Sequence, residues 1–228
     1  DFMIFEIIGG TSYLAVGALL IFRRPGNVIG PMFVAIGTGW NLVFLGIVTA
    51  DTLDEAGRID AASWVTLFAT LLTFPLLWLF AAVWLLFPDG HTHSIAARRL
   101  LRASGVGTLL LTAGLALGAP QVLPETKRYP HPFVGEPLAT TLTDVFGLPM
   151  ILLFLLPYVA AGMLLARMRH ADPVTRRQIG WVTVAILINI TLTLLNVIIA
   201  PFGTDNHAFL ILDSAGVLVI MAGMGIAI

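Results

Sequence analysis

Seven apolar runs set the pattern of this chain: Met3 to Phe22, Val28 to Ala50, Ala62 to Phe87, Leu100 to Gly118, Asp144 to Met168, Ile179 to Ala200 and Ala208 to Ile228. Each is close to or above the roughly 20 residues an α-helix needs to cross the ~30 Å hydrocarbon layer of a bilayer. Barrel strands would alternate apolar and polar positions. These runs do not, so each has to satisfy its backbone hydrogen bonds within itself, as a helix. The pattern predicts an all-α integral membrane bundle of about seven transmembrane helices, forming a single domain over residues 1–228. Pro75 in the third run and Pro149 and Pro157 in the fifth each remove a backbone donor and are expected to bend their helices. The longest connection, Pro120 to Thr141, holds five prolines and is expected to form turns and extended pieces rather than helix.

Composition agrees with lipid as the solvent. Of 228 residues, 58% are hydrophobic and 11% charged, where a soluble domain carries about 25% charged residues. Charge matters through its distribution. Nine basic residues fall in one set of connections: Arg23, Arg24, Arg98, Arg99, Arg102, Arg167, Arg169, Arg176 and Arg177. The other set holds three, Arg58, Lys127 and Arg128, together with most of the acids. Basic residues stay on the cytoplasmic side, which places the N-terminus outside and, for an odd number of spans, the C-terminus in the cytoplasm. A start at Asp1 without Met and an end on Gly225-Ile226-Ala227-Ile228 without a polar tail read as a piece of a longer protein.

Little in the chain suggests catalysis. There is no cysteine, hence no disulfide, thiolate nucleophile or Cys-ligated metal. The single lysine, Lys127, lies in a connection, so no span offers a Schiff-base lysine for a retinal. The five histidines all fall in connections on both sides, and no glycine-rich nucleotide loop or Ser-His-Asp order is present. The expectation is no catalytic residue, no metal, no cofactor and no nucleic acid partner. Polar groups within spans are the sharper pointer, because they are costly in lipid and mark pathways or sites. Glu6, Asn41, Asp144, Asn196 and Asp213 are the candidate ligand-binding set, with Asp144 opening the fifth span and the three acids in the outer third. The competing reading makes Asp144 a helix cap and the amides interhelical hydrogen-bonding groups. Gly37 and Gly162 are expected at close helix approaches.

Three connections carry recognisable text. They are Arg23-Arg24-Pro25-Gly26-Asn27-Val28-Ile29-Gly30, Leu85-Leu86-Phe87-Pro88-Asp89-Gly90 and Arg176-Arg177-Gln178-Ile179-Gly180-Trp181. In order and spacing they resemble the N-terminal polytopic membrane sensor region of bacterial sensor histidine kinases, in particular the competence and quorum-sensing group. The family's first loop typically reads Arg-Arg-Pro-Asn-Pro-Ile-Gly-Trp. Here Gly26 is inserted, Val28 replaces the second proline and Pro31 replaces the tryptophan. The resemblance implies a multi-pass protein of the bacterial inner membrane that works as a homodimer and passes a small-molecule, peptide or lipid signal to a kinase module. Phe87-Pro88-Asp89-Gly90 also has a plain physical reading as a helix stop and turn, in which Asp89 bonds the following backbone and Gly90 takes positive φ.

The leading expectation is therefore a membrane sensor or receptor domain transmitting an external or lipid-borne signal to a cytoplasmic output module absent from this chain. The alternative is a non-catalytic accessory or structural subunit of a larger membrane complex. A transporter or channel is a third reading, against which stands the lack of a mid-membrane charged pair or inverted repeat.

Overall fold

The computed structural model describes residues 2–118, 129–132 and 135–199. All regular structure among them is helical: α1 (Phe2–Arg23), α2 (Ile29–Glu55), α3 (Ile59–Leu86), α4 (Ile95–Gly118), α5 (Glu136–Arg167) and α6 (Pro173–Ile199), with a 3₁₀ turn at Met168–His170 before α6. Among the described residues, four stretches are long and apolar enough to cross a membrane, namely α2, α3, most of α4, and Leu148–His170 at the end of α5; α1 adds a shorter apolar stretch, Ile7–Arg23. Each of the first six apolar runs thus coincides in large part with one helix, α1 to α6. The seventh, Ala208 to Ile228, lies outside the described residues.

The connections follow local chemistry. Gly57 ends α2 in a Schellman motif, with Arg58 N bonded to Leu53 O and Gly57 N to Asp54 O, both at 2.8 Å, and φ +72° at the glycine. Asp172 opens α6, its Oδ1 accepting from Val174 N at 3.0 Å and Thr175 N at 3.1 Å, with Pro173 at the first helical position, where no amide hydrogen is needed. A hydrogen bond from the Thr175 side chain, then those amides, hold the Asp172 carboxyl below its usual pKa.

The structure corrects the expected connection at Pro120 to Thr141. Helix α5 begins at Glu136, so Glu136–Thr141 is helical, and Pro137 is tolerated because the first amides of a helix have no internal partner. Asp144 consequently lies inside α5 and neither opens nor caps it. The helical assignment also continues through Pro75, Pro149 and Pro157.

The described helices fall into two compact units. One draws on Asp1–Thr38, Val83–His93 and the described part of Ala160–Ile228; the other on Gly39–Ala82 and Ser94–Val159. In the first unit, α1 and α2 run antiparallel across paired glycines. A Cβ built on Gly37 would stand 2.5 Å from Gly10 O, and one on Gly17 would stand 2.9 Å from Gly30 O and 2.8 Å from Val34 N. Glycines seven residues apart on each helix therefore face glycines on the other. Lipid tails are as apolar as the side chains, so close backbone approach takes over the role that water-driven burial has in soluble proteins. Tyr13 packs on Phe33 beside this seam with ring centroids 5.7 Å apart.

In the second unit, Gly39 and Gly46 on α2 admit Leu76 and Ala69 of α3, around a core of Val43, Ala69 and Leu76 flanked by Trp40, Ile47, Leu72 and Leu79. Trp40 meets Phe44 and Phe80 edge-on. Trp78 joins α3 to α4, donating from Nε1 to Ser104 Oγ at 3.1 Å and Leu101 O at 3.3 Å. Gly114 of α4 accepts the Phe146 ring of α5. The expectation for Gly162 is overturned, since a Cβ there meets nothing within 4 Å. Gly162 lies on an exposed face of α5, and a glycine permits close approach only where its own face meets a neighbour.

Candidate functional site

The α3–α4 connection is where two of the three sequence motifs meet. Helix α3 ends at Leu86, and Phe87-Pro88-Asp89-Gly90 turns the chain, with a cis Phe87–Pro88 peptide, Gly90 N bonded to Leu86 O at 2.8 Å and φ +82° at Gly90. A side chain at Gly90 would also stand 3.1 Å from Asn27 Oδ1 and Val28, so both conformation and space select glycine there. Asp89 Oδ1 accepts from His91 N at 3.3 Å, as the turn reading expected.

Two distant segments grip this turn. From the α1–α2 connection, Asn27 Nδ2 donates to Pro88 O at 3.0 Å while its Oδ1 accepts from Ile29 N at 3.0 Å, opening α2. From the end of α5, Arg167 Nη1 donates to Phe87 O at 2.6 Å, and Nη2 stands 3.8 Å from Asp89 Oδ2. Two adjacent carbonyls left over at the end of α3 are thereby satisfied by side chains from the α1–α2 connection and the end of α5. Phe87 is fully buried beneath them.

Asp89 is the electrostatic centre. His93 Nε2 lies 2.8 Å from its Oδ1, and His91 Nδ1 lies 3.0 Å from its backbone oxygen. Partial burial pushes the Asp89 carboxyl up, but the His93 hydrogen bond, the His91 amide and the charges of His93 and Arg167 together outweigh it and hold the group below its usual 3.8. A carboxylate with a depressed folded-state pKa contributes stability that is present above its unfolded value and lost as pH falls through the folded one. The melting-temperature difference between the native chain and Asp89→Asn should therefore shrink as the pH falls below the usual carboxylate value of 3.8 and through the lower folded-state one. Parallel melting curves across that range would show that Asp89 carries no such linkage.

The remaining motif residues are placed differently. Arg23 ends α1 and is exposed with Pro25, Arg24 lies beside them, and Gly30 belongs to the glycine seam. Arg176 donates to Ala171 O at 3.3 Å, next to exposed Arg177 and half-buried Gln178; Trp181 is 47% exposed. The turn thus gathers Asn27, Phe87, Pro88, Asp89 and Gly90 but takes its second grip from Arg167, which the sequence presented only as one more basic residue. Its position as the last residue of α5 was the available signal.

Of the candidate ligand-binding set, only Asn41 has a described side chain. Its Oδ1 is buried without a hydrogen-bond partner, an acceptor left open within α2. Glu6, Asp144 and Asn196 lie on α1, α5 and α6 with their side chains outside the description, and Asp213 lies outside the described residues. On the acid-rich side, the Tyr129 hydroxyl donates to Asp51 Oδ1 at 3.2 Å. Burial, then that bond and the charges of Asp51 and Asp54, push the phenol up to about 12, so it remains a donor. A shallow depression of about 360 Å³ lies beside Arg58 and Asp60 in the α2–α3 connection, apart from the expected residues. No protein-family model matches the chain, and no curated protein or solved structure matches it either.

Proposed function

We propose that this chain is the sensor or receptor domain of a bacterial inner-membrane protein. It has seven spans, the N-terminus outside, and a cytoplasmic output module beyond these residues. The observation that supports a transmitting role is the double grip on Phe87-Pro88-Asp89-Gly90. Arg167 at the end of α5 and Asn27 before α2 hold neighbouring carbonyls of one turn, so a shift of either element has to break or carry that turn. A hydrogen-bonded node that either holds or breaks is the kind of element a signal can bias. Asn41 and the intramembrane acids Glu6, Asp144 and Asp213, with Asn196, form the proposed signal-binding set. The basic residues Arg23, Arg24, Arg176 and Arg177 then mark the cytoplasmic face.

Two measurements test this reading. Accessibility tags at Asp54, Glu125 and Asp205 are expected to react from outside, and tags at Gly26, His93 and Thr175 only from the cytoplasm; reversal at any two sites removes the seven-span topology. In the full-length protein, Arg167→Lys is expected to change basal signalling output while membrane insertion stays intact. Unchanged output with intact insertion would instead favour an accessory subunit, for which the turn has only a structural role.

A further inference from the structure

Helix α4 has an unusual charge at its start. Ser94 caps it, its Oγ accepting from Ala97 N at 3.0 Å, and the first two turns then carry Arg98, Arg99 and Arg102 with no acidic residue in the first turn. A helix N-terminus bears about half a positive charge and favours anions, so the guanidiniums of Arg99 and Arg102 add to its positive potential. Arg99 and Arg102 are exposed, and among the described residues no acidic side chain pairs with either. Asp89, the nearest acid along the chain, is engaged by His93 and Arg167.

The same face continues as an apolar strip. At helical spacings of three and four residues from Arg99 and Arg102 follow Val106, Leu109, Leu110 and Leu117, each between 52% and 69% exposed. Among the four candidate spans α4 is the least buried. From Arg102 to Leu110 the helix advances about 12 Å at 1.5 Å per residue, close to the ~15 Å depth of one hydrocarbon leaflet. Two forked cations above an aliphatic strip of leaflet depth match an amphiphile with an anionic head. Guanidinium forks hold phosphate oxygens in pairs, and a zwitterionic head would bring a cation of its own towards them.

We propose that this face of α4 is a docking surface for an anionic phospholipid, with the phosphate on Arg99 and Arg102 and the acyl chains along Val106, Leu109 and Leu110. The proposal rests on the reading that α4 crosses a membrane. The test uses the full chain reconstituted in phosphatidylcholine nanodiscs containing a minority of phosphatidylglycerol, with retained lipid identified by native mass spectrometry after mild release. Phosphatidylglycerol is expected several-fold above its share of the bilayer. Arg99→Gln with Arg102→Gln should bring it down to that share, Arg99→Lys with Arg102→Lys should keep part of the enrichment, and Arg176→Gln with Arg177→Gln should keep all of it. No enrichment on the native chain, equal enrichment on the double glutamine variant, or equal loss in the Arg176 and Arg177 control overturns the proposal. Inorganic phosphate added during release should displace nothing; displacement would overturn a phospholipid as the occupant. Release of the native chain from the bilayer by alkaline extraction would instead defeat the membrane-spanning reading, and is read before any lipid is counted.

Discussion

Gly37→Leu is expected to be the most damaging single substitution in the first unit, costing on the order of 3 kcal/mol, at the upper end for overpacked cores. The reason is the identity of the neighbours. A first side-chain carbon at Gly37 would lie 2.5 Å from Gly10 O and 2.9 Å from Leu14 N, both backbone atoms, which cannot rotate away as a side chain would. Even Gly37→Ala forces α1 and α2 apart, and the loss spreads along the seam to Gly17 and Gly30 because helices separate as rigid bodies. Gly162→Leu is the control, since open space surrounds that position, and its effect should stay within about 0.5 kcal/mol. Thermal unfolding in detergent with helicity as the readout separates the two cases. Indistinguishable melting of Gly37→Leu and Gly162→Leu would show that the seam does not hold these helices.

Much of this fold is legible in the chain, and the reasons it is legible also mark where reading stops. Apolar run length located six helices because lipid penalises any unsatisfied backbone group, a constraint that acts residue by residue. Helix ends were less clear. The prolines between Pro120 and Thr141 suggested a wholly irregular connection, yet Pro137 sits in the first turn of α5, where proline costs nothing, and Asp144 became an interior residue. Gly10, Gly17, Gly30 and Gly37 repeat at seven residues in plain sight. Their pairing depends on the register between two helices, which no single-helix pattern encodes. Gly162 shows the converse, a glycine identical in kind whose face meets nothing.

The site was half legible. Phe87-Pro88-Asp89-Gly90 could be read as a stop and turn from local chemistry alone, and its glycine and aspartate behave accordingly. Asn27 and Arg167, more than 60 residues away on either side, could be read only as a motif residue and a topogenic charge. Hydrogen bonds between connections depend on where the helices deliver their ends, and that information lies in packing.

The second large effect concerns that pair. Arg167→Ala removes a charged donor 2.6 Å from Phe87 O and leaves a carbonyl of a buried residue without its partner, a loss of about 2 kcal/mol for a hydrogen bond to an ionised group. Arg167→Lys should restore only part of this, because a single ammonium cannot reproduce a fork directed at both Phe87 O and Asp89. Asn27→Ala removes two bonds, one to Pro88 O and one opening α2, and should cost about 1–2 kcal/mol. The two grips hold adjacent carbonyls of one turn, so loss of either frees the turn and devalues the other. The double variant should therefore lose less than the sum of the singles, by about 0.5–1 kcal/mol of coupling. A control pair, Arg167→Ala with Trp78→Phe, shares no partner with the turn and should be additive. Strict additivity for Asn27 and Arg167 would mean that they stabilise their own segments independently, and the transmitting role proposed for the turn would lose its support.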